Sequence, residues 1–246
     1  MPTIKELQKT AHTQRRDIMY RFIGYLAYFP AKILIPTPIT PNQLTIIWII
    51  GQLGSALLLL AENQAIKILG LVLFQAFFIL DCSDGIIARY KKKFSLNGIY
   101  LDRVGHYLAN SFLLVCYTWS VFTTYDQPLF VAIGGLAILT FLLNKAITLN
   151  PAWYPSQQRE FITQSSEKSL LKNQPSLIYH IFALFRLEYF LNIMFWGTLL
   201  GFMQYTLMLY ALFFTLELGR KLINQFRLNR TYDEKALGSN TNDFFH

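Results

Sequence analysis

Apolar residues run through this chain in long blocks, and polar residues collect in the gaps between them. Six blocks stand out: Leu44–Ala61, Ala65–Leu80, Leu101–Val121, Leu129–Ile147, roughly Phe190–Met203, and Tyr205–Leu218. A helix of about 20 apolar residues crosses a bilayer. The pattern therefore predicts an all-α integral membrane protein built as a six-helix bundle, with five helices as the competing count. The last two blocks are short and nearly contiguous, which predicts a hairpin turning near Met203-Gln204. The fifth helix then starts earlier, because Leu177–Leu187 is also largely apolar.

The segments outside the blocks complete the layout. Residues 1–18 are polar and helix-compatible. Met19–Ile35 mixes aromatic, aliphatic and basic residues, with Pro30 interrupting it and Pro36 and Pro38 ending it. That is too short and irregular for a span, and it reads as an amphipathic helix lying on the membrane surface. It serves either as a simple anchor or as one wall of an entrance for lipid. Thr40 is positioned to cap the first span, with Pro41 at its first helical position. Residues 148–176, with Pro151, Pro155 and Pro175, form the longest loop, and 231–246 read as a flexible tail. The expected organisation is a cytoplasmic and interfacial segment (1–39), one membrane domain (40–230) and the tail.

Composition and charge support this layout. Only 15% of residues are charged and 53% are hydrophobic, against about 25% charged in ordinary soluble domains. In the six-helix arrangement every Lys and Arg except Lys67 falls on or near one side of the membrane. Positive charge marks the cytoplasmic side, which predicts both termini inside. The net charge of +8 then reports topology and contact with anionic lipid head groups, without invoking nucleic acid. The opening residues carry no secretory signal pattern. Cys82 and Cys116 both lie in or beside predicted spans, so neither a disulfide framework nor a thiolate zinc site is expected.

One spacing carries chemistry: Asp81-x2-Asp84-Gly85-x2-Ala88-Arg89-x8-Gly98-x3-Asp102-x3-His106. Asp81 and Asp84 share a face of the second span, and Asp102 and His106 share a face of the third. A short basic connection makes these helices antiparallel neighbours, so four ligand-type side chains converge at one membrane edge. Ionisable groups in a membrane bundle mark a functional site by default. Clustered carboxylates suit a hard divalent cation such as Mg²⁺ or Mn²⁺. The competing reading pairs the aspartates with Arg89, Arg103 or Lys91–Lys93 as interfacial salt bridges. Gly85 and Gly98 permit close approach of a nucleotide or backbone, as Ala88 does more weakly. The planar fork of Arg89 suits a pyrophosphate oxygen, although a snorkelling arginine is also common at such edges.

This spacing resembles the signature of the CDP-alcohol phosphotransferase (phosphatidyltransferase) family at every fixed position except the last, where His106 replaces an aspartate. The resemblance implies a six-helix membrane enzyme, often a dimer, with its active site open to the cytoplasm. It implies transfer of a phospho-alcohol unit from a CDP-alcohol donor to an acceptor hydroxyl, with release of CMP. It assigns one or two metal ions to Asp81, Asp84, Asp102 and His106, and the CDP site to Asp84, Gly85, Ala88, Arg89 and Gly98. Pro41-Asn42-x2-Thr45 resembles a shorter element that places Asn42 and Thr45 near the nucleotide, and a helix-start motif explains it equally well.

His106 leaves three readings open. It is the catalytic base, since an imidazole titrates nearer neutrality than a carboxylate. Alternatively it weakens a second metal position or favours Mn²⁺, or it disables the site in a non-catalytic relative. Asn110, Asn144, Lys145 and Arg159 are candidates for an acceptor pocket, whereas Trp48, Trp119, Trp153 and Trp196 read as packing or interface residues. An ion pathway is disfavoured because the charges sit at one edge, away from the midplane. The alcohol and the acceptor stay open, and a bacterial inner membrane is the expected location.

Overall fold

The computed structural model describes residues 2–10, 18–93, 95–147, 185–187 and 192–238. Among these, every regular element is a helix: α1 (Ile4–Thr10), α2 (Ile18–Leu26), α3 (Tyr28–Leu34), α4 (Pro41–Leu57), α5 (Gln64–Tyr90), α6 (Leu96–Tyr125), α7 (Leu129–Ile147), α8 (Ile193–Leu199) and α9 (Met203–Gly238). A single 3₁₀ turn, Leu58–Leu60, extends α4.

Local chemistry sets the helix ends. Thr40 and Gln43 form a reciprocal capping box at the start of α4, with Pro41 in the first position, as the sequence predicts. Asn63, Ser95 and Asn192 cap α5, α6 and α8 through their side chains. At the far end of α5, Lys93 N donates to Ala88 O (3.0 Å) and Lys92 N to Arg89 O (3.3 Å). With Lys92 at φ 52°, this is a Schellman stop that turns the chain back toward α6. The same device ends α8: Phe202 N reaches Gly197 O and Gly201 N reaches Thr198 O, with Gly201 at φ 75°. The hairpin therefore turns at 200–202, slightly before the predicted Met203-Gln204, because Gly201 supplies the left-handed residue.

Among the described residues, three helices are long and apolar enough to cross a membrane: Pro41–Leu60, Gln64–Tyr90 and Leu129–Ile147. The other expected spans differ from these for visible reasons. α6 is long, but Asp102, His106, Asn110, Ser111 and Ser120 are spread along it. α9 joins an apolar first half to a charged second half, and only Ile193–Leu199 of the fifth span is described as helix. The expected flexible tail begins inside α9, which runs without a break through Arg230 to Gly238. The loop 148–176 lies outside the described residues.

The helices pack as α4 across α5 and α6, α6 on α7, and α7 on α9. Trp48, Leu59, Leu71, Phe74, Leu113, Tyr117, Leu207 and Tyr210 lie at the centre, essentially without exposure. Gln64 Nε2 donates to Thr198 O (2.8 Å) and Tyr125 OH to Gly201 O (2.9 Å). These bonds gather the start of α5, the end of α6 and the α8–α9 turn at one end of the bundle. The starts of α4 and α6 and the ends of α5 and α7 therefore share the opposite end.

The N-terminal segment forms two short helices where one was predicted. The break falls at Ala27, and Pro30 lies in the first turn of α3, where its missing N–H costs nothing. The interruption expected at Pro30 thus falls one turn upstream, where Pro30 has no N–H to offer the Leu26 carbonyl. One face of this pair (Ile23, Ala27, Tyr28, Ala31) packs on Phe78, Cys82, Ile86 and Ile87 of α5. Ser83 Oγ donates to Ala27 O (2.9 Å), tying the break to the back of α5. The other face exposes Phe22, Tyr25, Phe29 and Ile33 in a continuous apolar stripe.

Candidate active site

α5 and α6 run antiparallel from the short turn after Tyr90, which sets Asp81 opposite Asp102 and His106. His106 Nε2 lies 3.6 Å from Asp81 Oδ2 and 3.7 Å from Asp102 Oδ1. Both separations exceed hydrogen-bond range. One donor atom from each of the three residues falls within 4.8 Å of the others. Asp81 is buried, whereas Asp102 is about half exposed, at 45%. The trio therefore opens on the Asp102 side. Two carboxylates and an imidazole, closely spaced and partly desolvated, fit a divalent cation.

Asp84, the fourth expected ligand, faces α4 through one of its two carboxylate oxygens. Its Oδ2 accepts from Thr45 Oγ1 at 2.7 Å and from Trp48 Nε1 at 3.1 Å, and it falls outside the trio. The cause is α4, which crosses α5 and α6 and presents both donors on one face. Asp84 still lies close enough to Asp102 for their charges to repel.

Trp48 packs in the core, as the sequence predicts, and it also touches the site. It has no exposure, and its ring stands 5.2 Å from that of His106 while its indole N–H holds Asp84. Phe78 flanks the imidazole as well, at 6.2 Å. The position three residues after Thr45 on the same helix face was the available signal.

A second group forms where the starts of α4 and α6 meet. Asn42 Nδ2 donates to Ser95 Oγ (3.2 Å), and Ser95 Oγ accepts from Gly98 N (2.9 Å). A β-carbon on Gly98 would lie 2.6 Å from Asn42 Oδ1 and 3.0 Å from Ser95 Oγ. Gly98 is thus a residue of the first turn of α6 whose bare backbone admits Asn42. Ser95 escaped the sequence reading, although a serine three residues before Gly98 at a helix start is a strong cap signal. Along α5, a β-carbon on Gly85 would meet the Arg89 guanidinium at 3.4 Å, and Ala88 is half-buried beside it. Lys91 of the basic connection donates to Thr37 O and Ile39 O, pinning the α3–α4 link. Replacing Ser95 with Ala removes both a cap and the partner of Asn42. The expected cost is about 1 kcal/mol of stability, read from unfolding midpoints. An unchanged midpoint would deny Ser95 both roles.

The acceptor candidates divide. Asn144 Nδ2 donates to Phe214 O (2.7 Å), so its side chain ties α7 to α9. Asn110 is buried inside the bundle, and Arg159 lies outside the described residues. Lys145 belongs to a basic group at the site end: Lys221 Nζ donates to Asn144 O (3.3 Å), pairs with Glu217 (3.1 Å), and feels the charges of Lys145 and Arg220.

Known proteins show matching features. Residues 38–216 match the family described as CDP-alcohol phosphatidyltransferase. Phosphatidylinositol phosphate synthase of Corynebacterium glutamicum is 31% identical over 109 residues, covering 44% of this chain and 49% of the relative. The chain thus spans about half the length of the curated relative it matches.

Proposed function

The chain belongs to the CDP-alcohol phosphatidyltransferase family, and from that membership we propose a membrane transferase that moves a phosphatidyl or similar phospho-alcohol unit from a CDP-alcohol to an acceptor hydroxyl. The observation that carries this reading is the trio Asp81, Asp102 and His106 at one end of an apolar bundle, adjoining the Asn42–Ser95–Gly98 group. In the reaction, the acceptor oxygen bonds to the phosphorus that bears the alcohol. The bond from that phosphorus to the bridging oxygen breaks, CMP leaves with the electron pair, and the acceptor proton passes to base or solvent.

Asp81, Asp102 and His106 would hold a divalent cation. When bound, it neutralises the pyrophosphate oxygens and the charge growing on the leaving group. Asn42, Thr45, Gly85, Ala88, Arg89 and Gly98 form the donor site, with Arg89 binding a phosphate oxygen through its fork. Asp84 anchors the α4 side of that site through Thr45 and Trp48. The integral membrane domain (40–230) carries six spans with both termini and the site on the cytoplasmic face, and a bacterial inner membrane is the proposed location. The exposed stripe Phe22–Tyr25–Phe29–Ile33 rests on the same surface. A homodimer completes the proposal, on the family resemblance.

The acceptor is anionic. Lys145, Arg220 and Lys221 gather at the end of the bundle that also carries the acidic trio, and the name of the C. glutamicum relative describes a product bearing an extra phosphate. The test is the product. Purified protein in vesicles containing CDP-diacylglycerol is given a divalent cation with inositol phosphate, glycerol phosphate, inositol or serine, and the lipids are identified by mass spectrometry. Phosphorylated acceptors are expected to yield the new lipid and neutral ones little. Equal yields would refute the anionic acceptor, and no product from any acceptor would refute the transferase reading for this donor.

A further inference from the structure

We propose that His106 is a nitrogen ligand of the cation, and that it turns a site suited to Mg²⁺ into one that prefers Mn²⁺ or a similar first-row transition ion. The inference deepens the transferase reading and rests on it for the identity of the cation site. Its physical ground is the placement of Nε2. That atom stands nearly equidistant from the two carboxylates, at 3.6 and 3.7 Å. Such spacing is too long for a hydrogen bond. It is, however, close to the roughly 3.0–3.5 Å between neighbouring ligands that bonds of about 2.1 Å to a common ion impose.

The imidazole is also held in place. Trp48 and Phe78 flank its ring at 5.2 and 6.2 Å. With Asp84 engaged by α4, the trio offers one nitrogen and two carboxylates where an aspartate at 106 would give oxygen donors alone. Mg²⁺ favours oxygen donors and sheds water reluctantly, whereas imidazole is a ligand of first-row transition ions. Ligation requires an unprotonated Nε2, so the ring proton sits on Nδ1. The same nitrogen then cannot serve as the base, and the ligand and base roles of His106 exclude each other.

The experiment is Mn²⁺ electron spin echo envelope modulation on the purified full chain, together with competition between Mn²⁺ and Mg²⁺ at equilibrium. The expected signature is a ¹⁴N coupling in wild type that disappears in H106D. Wild type is also expected to prefer Mn²⁺ by more than about tenfold, a ratio that collapses toward unity in H106D. Bound Mn²⁺ without nitrogen coupling, or no preference over Mg²⁺, overturns the proposal. Absence of the nitrogen coupling in wild type already overturns the proposal, so poor folding of the variant leaves the test intact. A parallel CMP-release assay keeps the two readings separable. Release without nitrogen coupling removes only the ligand assignment, and coupling without release from any donor removes only the transferase reading.

Discussion

Replacing Asp81 with Asn is expected to lower CMP release by about 10³-fold or more while leaving the fold intact. Asp81 is 7% exposed and faces His106 from α5. Asparagine keeps the shape of the side chain and removes its charge, so the change acts on cation binding and spares the packing. Stability gives an independent sign. Without metal, the variant should melt no lower than wild type, because it carries one fewer buried carboxylate beside Asp102. With metal, wild type alone should gain stability, by about 2.7 kcal/mol at a hundred times the dissociation constant. Thermal melts with and without Mn²⁺, run beside turnover, read both effects. Turnover within tenfold of wild type, or equal metal stabilisation of the two proteins, would remove Asp81 from the site.

The second large effect falls on Trp48. Trp48→Ala empties a fully buried position and should cost about 3–5 kcal/mol. It also strips one donor from Asp84 and the neighbouring ring from His106. Trp48→Phe separates these roles, since it keeps most of the volume and the ring face but loses the indole N–H. The Phe variant should fold with a loss of about 1–3 kcal/mol and work roughly tenfold more slowly, as positioning groups around metal sites do. Unfolding midpoints and kcat for both variants give the comparison. A Phe variant with unimpaired turnover would reduce Trp48 to a packing residue.

The legible parts of this molecule are those set by neighbours in sequence. The Thr40–Gln43 box and Pro41 announce α4, and the i, i+4 pair Asp102 and His106 fixes one face of α6. What escaped depends on partners far along the chain. Trp48 reads as packing because nothing near it reveals Asp84, 36 residues away. The bonds that Asp84 Oδ2 accepts from Thr45 and Trp48 are equally hidden, because α4 crosses over from far along the chain. Ser95 acquires its second role only because Asn42 arrives from 53 residues earlier. The break at Ala27 is foreshadowed by Pro30, but the bond by which Ser83 holds the Ala27 carbonyl is not. The continuation of α9 past Arg230 draws on local pairs such as Arg230–Glu234 at 2.8 Å, which a polar composition conceals.

The most direct measurement is CMP release by the purified full chain in vesicles containing CDP-diacylglycerol, with and without Mn²⁺ or Mg²⁺ and with and without a phosphorylated acceptor. Release that requires both the cation and the acceptor, and that falls away in Asp81→Asn, is the expected result. Release that persists under chelation, or none from any CDP-alcohol while CDP still binds, would contradict a metal-dependent transferase.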